Sequence, residues 1–406
     1  MHTEIIKSEV LALFRQTLKS NAVTDSSNFF LLGGQSLQAV QLVAEIARTH
    51  KKVLSLRDFF NNPSVNGIVD LLEKETRAED PSPDALPPME TTTPAFIGAT
   101  GNTNFEPFPL NEVQHAYWIG RSSFFEMGNI ATHVYVEFQC DHLDIEKFQV
   151  AWNKVCARHG MLRAVITPDG EQHVLESHSY QIAVLDLTRH DLPAASSEQM
   201  KIRDRMSHQV LDSSKPLYEI VASQTNAGIR LHCSLDLLIA DLWSTQILFR
   251  DLEFFYKNPS GDLPALGFTF RDYVLAEQIF GRGENFSKAE NYWQRRIEGF
   301  PRGPVLPLRK NPSSVKSPKF IRRSATLAPS TWQALKKYAE INSLTPSGLL
   351  AAAYAEILSL WSGSRHFALN LTLFNRAPVH PDVVDIIGDF TSLSLLEINT
   401  ASQESF

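Results

Sequence analysis

From Arg77 to Glu106 the chain reads RAEDPSPDALPPMETTTPAFIGATGNTNFE, with Pro81, Pro83, Pro87, Pro88 and Pro94 and few large apolar residues. Proline fixes φ and removes a backbone donor, so no single core runs through this stretch. Whatever precedes it folds apart from whatever follows. The reading is a small unit at 1–78, a proline-rich linker at 79–106 and a large unit from 107 on. At roughly 3 Å per residue such a linker reaches on the order of 80 Å when extended, enough for the small unit to move relative to the large one. With 406 residues, 43% of them hydrophobic, the chain has material for a core on each side.

The small unit is read as an all-helical bundle. Ile5, Ile6, Val10, Leu13, Phe14 and Leu18 recur three or four residues apart, as on one face of a helix, and Leu37, Val40, Val43, Ala44 and Ala47 do the same. Pro63 and Ser64 ahead of Ile68, Leu71 and Leu72 signal another helix start, and Asn28 to Gly34 forms a connecting loop. Strand alternation is absent, so about three or four helices share one core.

The large unit mixes both periods. His133 to Phe138, Ile229 to Leu235 and Phe367 to Leu373 alternate as half-buried strands do, whereas Ile145 to Val155, Trp243 to Phe255, Trp332 to Ile341 and Pro346 to Trp361 are helical in period. Thr345 before Pro346 is a cap followed by proline at the first helical position. This is an α/β architecture.

Several function classes drop out. The 38 Lys and Arg against 45 Asp and Glu leave a net charge of −7 with no basic run, so nucleic acid is not an expected partner. The most apolar long segment, Ser347 to Trp361, is too short to span a membrane and carries Glu356, and no signal-peptide pattern opens the chain. Cys140, Cys156 and Cys233 are odd in number and in no Cys-x-x-Cys spacing, so neither a disulfide framework nor a cysteine metal site is expected. That usage fits a reducing, cytoplasmic setting.

Two strings carry the chemistry. In Leu32-Gly33-Gly34-Gln35-Ser36-Leu37 a serine follows two glycines at a helix start. By itself Ser36 has the position of an N-cap. A hydrolase elbow would need Gly-x-Ser-x-Gly after a strand, and a phosphate-cradling loop would need Lys before Ser or Thr; neither is present. Taken whole, at the second helix of a bundle of this size, the string resembles the peptidyl carrier domain of nonribosomal peptide synthetases. The resemblance implies 4′-phosphopantetheine attached covalently to Ser36 by a phosphopantetheinyl transferase, and a helix N-terminus suits the phosphodiester. Gln35 stands where the family more often has His or Asp.

In the second string, LHCSLDLLIADLWS from Leu231 to Ser244, alternation puts Leu231, Cys233 and Leu235 on one face and His232, Ser234 and Asp236 on the other. Asp241 follows four apolar residues and precedes a helix, which locally reads as an N-cap or a buried ion-pair partner; Ser244 reads as a cap. Carboxylates between apolar walls also serve as acids or bases, and sequence does not say which is desolvated. The string Asp236-Leu-Leu-Ile-Ala-Asp241-Leu-Trp-Ser244 matches the D-x-x-x-x-D-x-x-S signature of heterocyclization domains, the condensation-domain variant that makes thiazoline or oxazoline rings. Strings from Phe108 to Arg121, Arg158 to Ala164, Leu371 to Arg376 and Gly388 to Ser392 are similar to further family motifs, in family order.

That resemblance, from about residue 107 onward, implies a chloramphenicol-acetyltransferase-like pair of subdomains, 107–280 and 281–406, with a channel between them. Donor and acceptor carriers would reach it from opposite sides, with an adenylation domain and the rest of the synthetase as further partners. Asp236, Asp241 and Ser244 are the implied catalytic residues. Arg163, in the Arg158 to Ala164 string, is implied to pair with Asp241, which makes Asp241 mainly structural and leaves Asp236 facing the channel. Five residues on a helix turn about 140°, which would separate the two aspartates.

Family members continue beyond the Gly388 to Ser392 string, and cyclodehydration is attributed to a threonine and an aspartate there. The second subdomain is therefore expected to be incomplete in these 406 residues, ring closure to need an added domain, and apolar surface to show around Phe367 to Leu373 and Leu393 to Ile398. Two alternatives stay open. One is an ordinary condensation domain, disfavoured because Asp236 and Leu237 stand where that domain has two histidines; the other is a carrier and scaffold module inactive without the remaining part.

Overall fold

The structure, a computed structural model, describes residues 2–34, 36–50, 52, 59, 62–74, 105–123, 127–280, 284–316, 318–342, 344–377 and 379–401. Nearly all of the expected linker, and most of the stretch where a fourth helix of the small bundle would fall, lie outside the described residues.

The small unit forms helices α1 (His2–Leu18), α2 (Ser36–His50) and α3 (Val65–Lys74). Their apolar faces meet in one core built on Val10, Phe14, Leu42, Ile46 and Ile68. Phe29 joins it edge-on, with its ring centroid 5.6 Å from that of Phe14 and 5.4 Å from that of Phe59. Both glycines ahead of Ser36 are needed, for different reasons. Gly33 has φ +90°, a conformation that side-chain-bearing residues rarely adopt, and at Gly34 a Cβ would lie 2.3 Å from Phe29 Cε1 and 2.6 Å from the Phe29 carbonyl oxygen. Gly34→Ala is expected to destabilise this unit by about 1–3 kcal/mol, as overpacking does. Faster amide hydrogen exchange in α2 of the intact chain would show it; unchanged exchange would mean that the loop relaxes freely.

The large unit runs β1 (Phe108–Pro109), α4 (Glu112–Gly120), β2 (His133–Cys140), α5 (Ile145–Arg158), β3 (Ala164–Ile166), β4 (Glu171–Val174), β5 (Ala183–Asp186), α6 (Leu192–Met206), β6 (Tyr218–Thr225), β7 (Gly228–Asp236) and α7 (Leu242–Lys257). It continues with α8 (Phe270–Phe280), α9 (Glu284–Arg296), α10 (Pro329–Ile341), α11 (Pro346–Ser362), β8 (His366–Phe374) and β9 (Thr391–Asn399). Strands pair in the order β2-β7-β6-β5, with a small sheet β1-β4-β3 and an antiparallel pair β8-β9. Thr345 caps α11 as expected, its Oγ1 accepting from the Gly348 N–H at 3.0 Å.

Strand β7 is the centre of the main sheet and departs from the half-buried alternation expected of it. Its apolar face packs on α5 and α7 through Trp152, Val155, Ile247 and Leu248, while its polar face is buried too, with His232 and Ser234 nearly inaccessible. A hydrogen-bond network makes the burial of His232 tolerable, whereas Ser234 Oγ has no hydrogen-bond partner among the described residues. His232 Nδ1 lies 2.8 Å from the Tyr135 hydroxyl and its Nε2 3.0 Å from Ser223 Oγ, and Gln199 of α6 donates to Ser223 Oγ at 3.1 Å. Tyr135 in turn donates to Glu137, which Arg203 clamps through two bonds of 2.6 Å. That clamp holds the Glu137 carboxyl down at about 2.

On β8 and β9, Leu371, Leu373, Leu393 and Leu395 are exposed, in line with expectation, whereas Phe367 and Ile398 are buried against Ala355 and Leu358 of α11. Cys140, Cys156 and Cys233 are free thiols. Among the described residues no helix is long and apolar enough to cross a membrane, and no group of His, Cys, Asp and Glu is arranged to hold a metal ion.

Candidate functional site

The D-x-x-x-x-D-x-x-S string occupies the turn between β7 and α7. Asp236 ends the strand, Leu237 to Ala240 cross over, and Asp241 caps the helix with extended backbone, φ −86°. The two aspartates are therefore separated by a strand-to-helix crossover, and the helical spacing argument does not apply. The turn itself is pinned from α4: Gln114, fully buried, donates from Nε2 to the Leu238 carbonyl at 2.6 Å and exchanges amide hydrogen bonds of 3.0 and 2.9 Å with Gln172.

Neither aspartate is exposed. Asp236 is 1% accessible and makes an ion pair with Arg121, while its Oδ1 accepts from the Leu238 N–H at 3.0 Å. Burial pushes the Asp236 carboxyl up from its ordinary value, against the pull of the Arg121 guanidinium. The expectation that Asp236 would be the channel-facing member of the pair is thus overturned. An unpaired carboxylate is expensive to bury, and Arg121 is the partner that makes the site tolerable.

Asp241 is paired across the molecule. Its Oδ1 accepts from the Ser244 N–H at 2.6 Å and lies 3.1 Å from Arg376 Nη2, both side chains being almost fully enclosed. Arg163, expected to be this partner, is elsewhere. It spans carbonyl oxygens of Cys156 at 3.0 Å and Glu176 at 2.8 Å, together with those of Leu175 and Ala157, and so ties the end of α5 to the segment after β4. The guanidinium is satisfied by the chain that turns around it, leaving no donor directed at Asp241.

Ser244 is the junction of the cluster. Its hydroxyl carries one proton, which goes either to Asp241 Oδ1 at 2.6 Å or to the Gly388 carbonyl at 2.8 Å, while its oxygen accepts from Arg376 Nη2 at 3.0 Å and the Gly388 N–H at 3.1 Å. The Gly388 carbonyl also receives the Asp241 N–H at 2.9 Å. Every direction around this oxygen is used, so Ser244 joins α7 to the Gly388 to Ser392 string and is not poised as a nucleophile. Arg376 completes the seam by donating from Nη1 to the carbonyls of Val383 and Ile386, each at 2.7 Å, with its guanidinium 3.9 Å from the Phe390 ring centroid.

A second buried charge cluster lies about two turns further along α7. Asp251 accepts from Arg158 at 3.0 Å, from Arg250 at 2.8 Å and from His159 at 2.8 Å, and Arg250 also reaches Asp385 at 2.6 Å. Burial pushes the Asp251 carboxyl up, but the hydrogen bonds from His159 and Arg250 outweigh it and hold the group at about 2.

Ser36, the other expected site, is the first residue of α2, which has no acidic residue in its first turn. An N-terminus free of negative charge, preceded by a glycine at φ +90° and one packed against Phe29, suits a phosphodiester at that serine.

Residues 106–406 match the family described as the condensation domain. The chain belongs to the condensation-domain family. Ahead of that condensation domain, residues 8–72 match the phosphopantetheine attachment site family, so 4′-phosphopantetheine is the covalent cofactor of the small unit. Bacitracin synthase 1 of Bacillus licheniformis is 35% identical over 98% of this chain, and phenyloxazoline synthase MbtB of Mycobacterium tuberculosis is 33% identical over 98%. The chain spans only 7% and 27% of the length of these two relatives. Among solved structures, the EpoB cyclization-docking bidomain of Sorangium cellulosum superposes with a TM-score of 0.71 at 35% identity, covering 90% of this chain and 67% of that one. The molecule is thus a synthetase carrier unit followed by a condensation domain related to cyclization domains.

In this condensation domain the partners that sequence reading missed are Arg121 for Asp236 and Arg376 for Asp241. Each closes a string already similar to a family motif, and each is the only Lys or Arg in its string. That placement is the one signal the sequence offered.

Proposed function

We propose that this chain is the carrier and heterocyclization portion of a nonribosomal peptide synthetase. The condensation domain joins a thioester-bound acyl group to carrier-bound cysteine, serine or threonine and closes the product to a thiazoline or oxazoline. The observation that carries the reading is the loop itself: Asp236 and Leu237 stand where ordinary condensation domains have two histidines, and Asp236 and Asp241 are each built into the fold by an arginine. The likeness to phenyloxazoline synthase and to the EpoB cyclization domain supports it.

When bound, phosphopantetheine supplies the thiol that holds the acyl group as a thioester. The chain's own residues supply placement and proton handling. Ser36 at the start of α2 gives a donor attachment point in the same chain as the condensation domain, so the local concentration of donor is high and orientation supplies much of the rate. Asp241 commits Oδ1 to Ser244 and Arg376 and leaves Oδ2 buried without a hydrogen bond among the described residues, and the reading gives this oxygen the proton of the attacking amine or thiol. Asp236 and Arg121 fix the strand end, while Ser244 and Arg376 hold the two sides of the seam in register. Arg163 acts further away, as a carbonyl clamp that shapes the turn after α5.

A phosphopantetheinyl transferase, an adenylation domain and an acceptor carrier are the partners this reading requires. The test supplies the chain, acylated on Ser36, with a cysteinyl or threonyl acceptor carrier and follows the acceptor by mass spectrometry. Transfer of the acyl group gives the linear amide, and ring closure adds the loss of one water. An acceptor that stays unacylated under all conditions would overturn the reading in favour of a carrier and scaffold role.

A further inference from the structure

The carrier unit rests on the condensation domain. Cα atoms of α2 come within 8 Å of those of the turn Pro381–Val384. Lys336 of α10 lies against the loop ahead of α2, where a Cβ on Gly33 would be 3.5 Å from the lysine Cδ and 3.9 Å from its Nζ. These are ordinary contact distances. Ser36 is three positions after Gly33, and three residues of chain span at most about 11 Å, so the Lys336 ammonium is within reach of a group carried by that serine.

The turn that α2 meets is braced from within. Trp243 Nε1 donates to the Val384 carbonyl at 3.0 Å and Arg376 Nη1 to the Val383 carbonyl at 2.7 Å. On its other side the Gly267 N–H donates to Asp382 Oδ2 at 2.7 Å, and the His380 ring stacks on Phe268 with centroids 4.8 Å apart. Trp243 stands between Asp241 and Ser244 in the chain, and Arg376 Nη2 lies 3.1 Å from Asp241 Oδ1. The turn and the motif loop are thus held by the same two residues. A carrier seated on the turn is placed relative to that loop through fixed bonds, and placement is what a tethered donor contributes to rate.

Lys336 gives this surface its chemistry. It is half-buried and makes no hydrogen bond or ion pair among the described residues, while the first turn of α2 offers it no acid. Phosphopantetheine changes that balance, because it brings a phosphodiester anion to the start of α2, and a lysine binds phosphate as a point charge. Resting on the carrier and heterocyclization reading above, we propose that Lys336 and the turn Pro381–Val384 form the docking surface for this chain's own phosphopantetheine-bearing carrier, with the Lys336 ammonium paired to the phosphodiester on Ser36. Attaching the arm then strengthens a seat that the carrier already takes. Carrier and surface belong to one chain, so docking is intramolecular and a small gain shifts it. One such solvent-exposed pair changes a docked-to-undocked ratio by about two- to fivefold.

The test is amide hydrogen exchange of the intact chain before and after loading from coenzyme A. Its reporters are Val383 and Asp385, whose N–H groups donate within the turn to the His380 and Asp382 carbonyls at 3.1 and 2.9 Å. Loading is expected to slow their exchange by about two- to fivefold in wild type and in Lys336→Arg. It should leave exchange unchanged in Lys336→Glu, and in Ser36→Ala, which takes no arm. At 1 M salt, where screening acts within about 3 Å, the difference between loaded and unloaded wild type should disappear. Loading that slows exchange equally in Lys336→Glu, or that slows it in no protein, overturns the proposal. Slowing that arises only when a separate loaded carrier is added assigns the surface to the acceptor and overturns it as well. No acyl transfer is needed for this readout, so a chain that docks yet leaves every acceptor unacylated would defeat the heterocyclization reading and leave the docking surface standing.

Discussion

Asp241→Ala is expected to destabilise the condensation domain by about 3–5 kcal/mol, the usual cost of leaving one member of a buried ion pair alone. The guanidinium of Arg376 would lose its carboxylate while remaining enclosed, and α7 would lose its cap in the same step. Arg376→Met should cost a comparable amount from the other side, and the double variant should cost less than the sum of the two. Asp236→Ala belongs in the same class, since Arg121 is only 8% accessible, so the sequence-based expectation of a mild effect at Asp236 is replaced by one of similar severity. Urea unfolding of the four proteins measures this. Small, additive losses would show that the pairs are not the ties described here.

Ser36→Ala is expected to abolish phosphopantetheine attachment and with it every donor function of the chain. Alanine is the best helix former, so α2 should persist and the loss should be purely chemical. Intact mass after incubation with coenzyme A and a broad-specificity phosphopantetheinyl transferase should show one added arm on wild type and none on the variant. A variant that still gains the arm would place the attachment on another serine.

Much of this architecture is legible in sequence where local pattern decides it. The three described carrier helices, the strands at His133, Ile229 and Phe367, and the Thr345 cap all follow from side-chain period and end signals, because each depends on residues within a turn or two. Strand β7 is misread because its second face is covered by α6, which arrives from elsewhere in the chain and brings Gln199 to Ser223, the partner of His232. The Asp241 partner is misread for a related reason. Arg163 and Arg376 are equally plausible cations on the page, and the choice between them is made by where two distant turns fall in space.

The seam also fixes an order of events during synthesis. The cap of α7 is completed by Arg376 and Gly388, whose bonds to Ser244 span 132 and 144 positions of chain. A nascent chain grows from its N-terminus, so Asp236 to Ser244 leaves the ribosome long before the residues that enclose it. Until then water must serve Asp241, and contacts of such high sequence separation form slowly even when both ends are present. The loop that bears the motif is thus among the last parts of the domain to take its native shape.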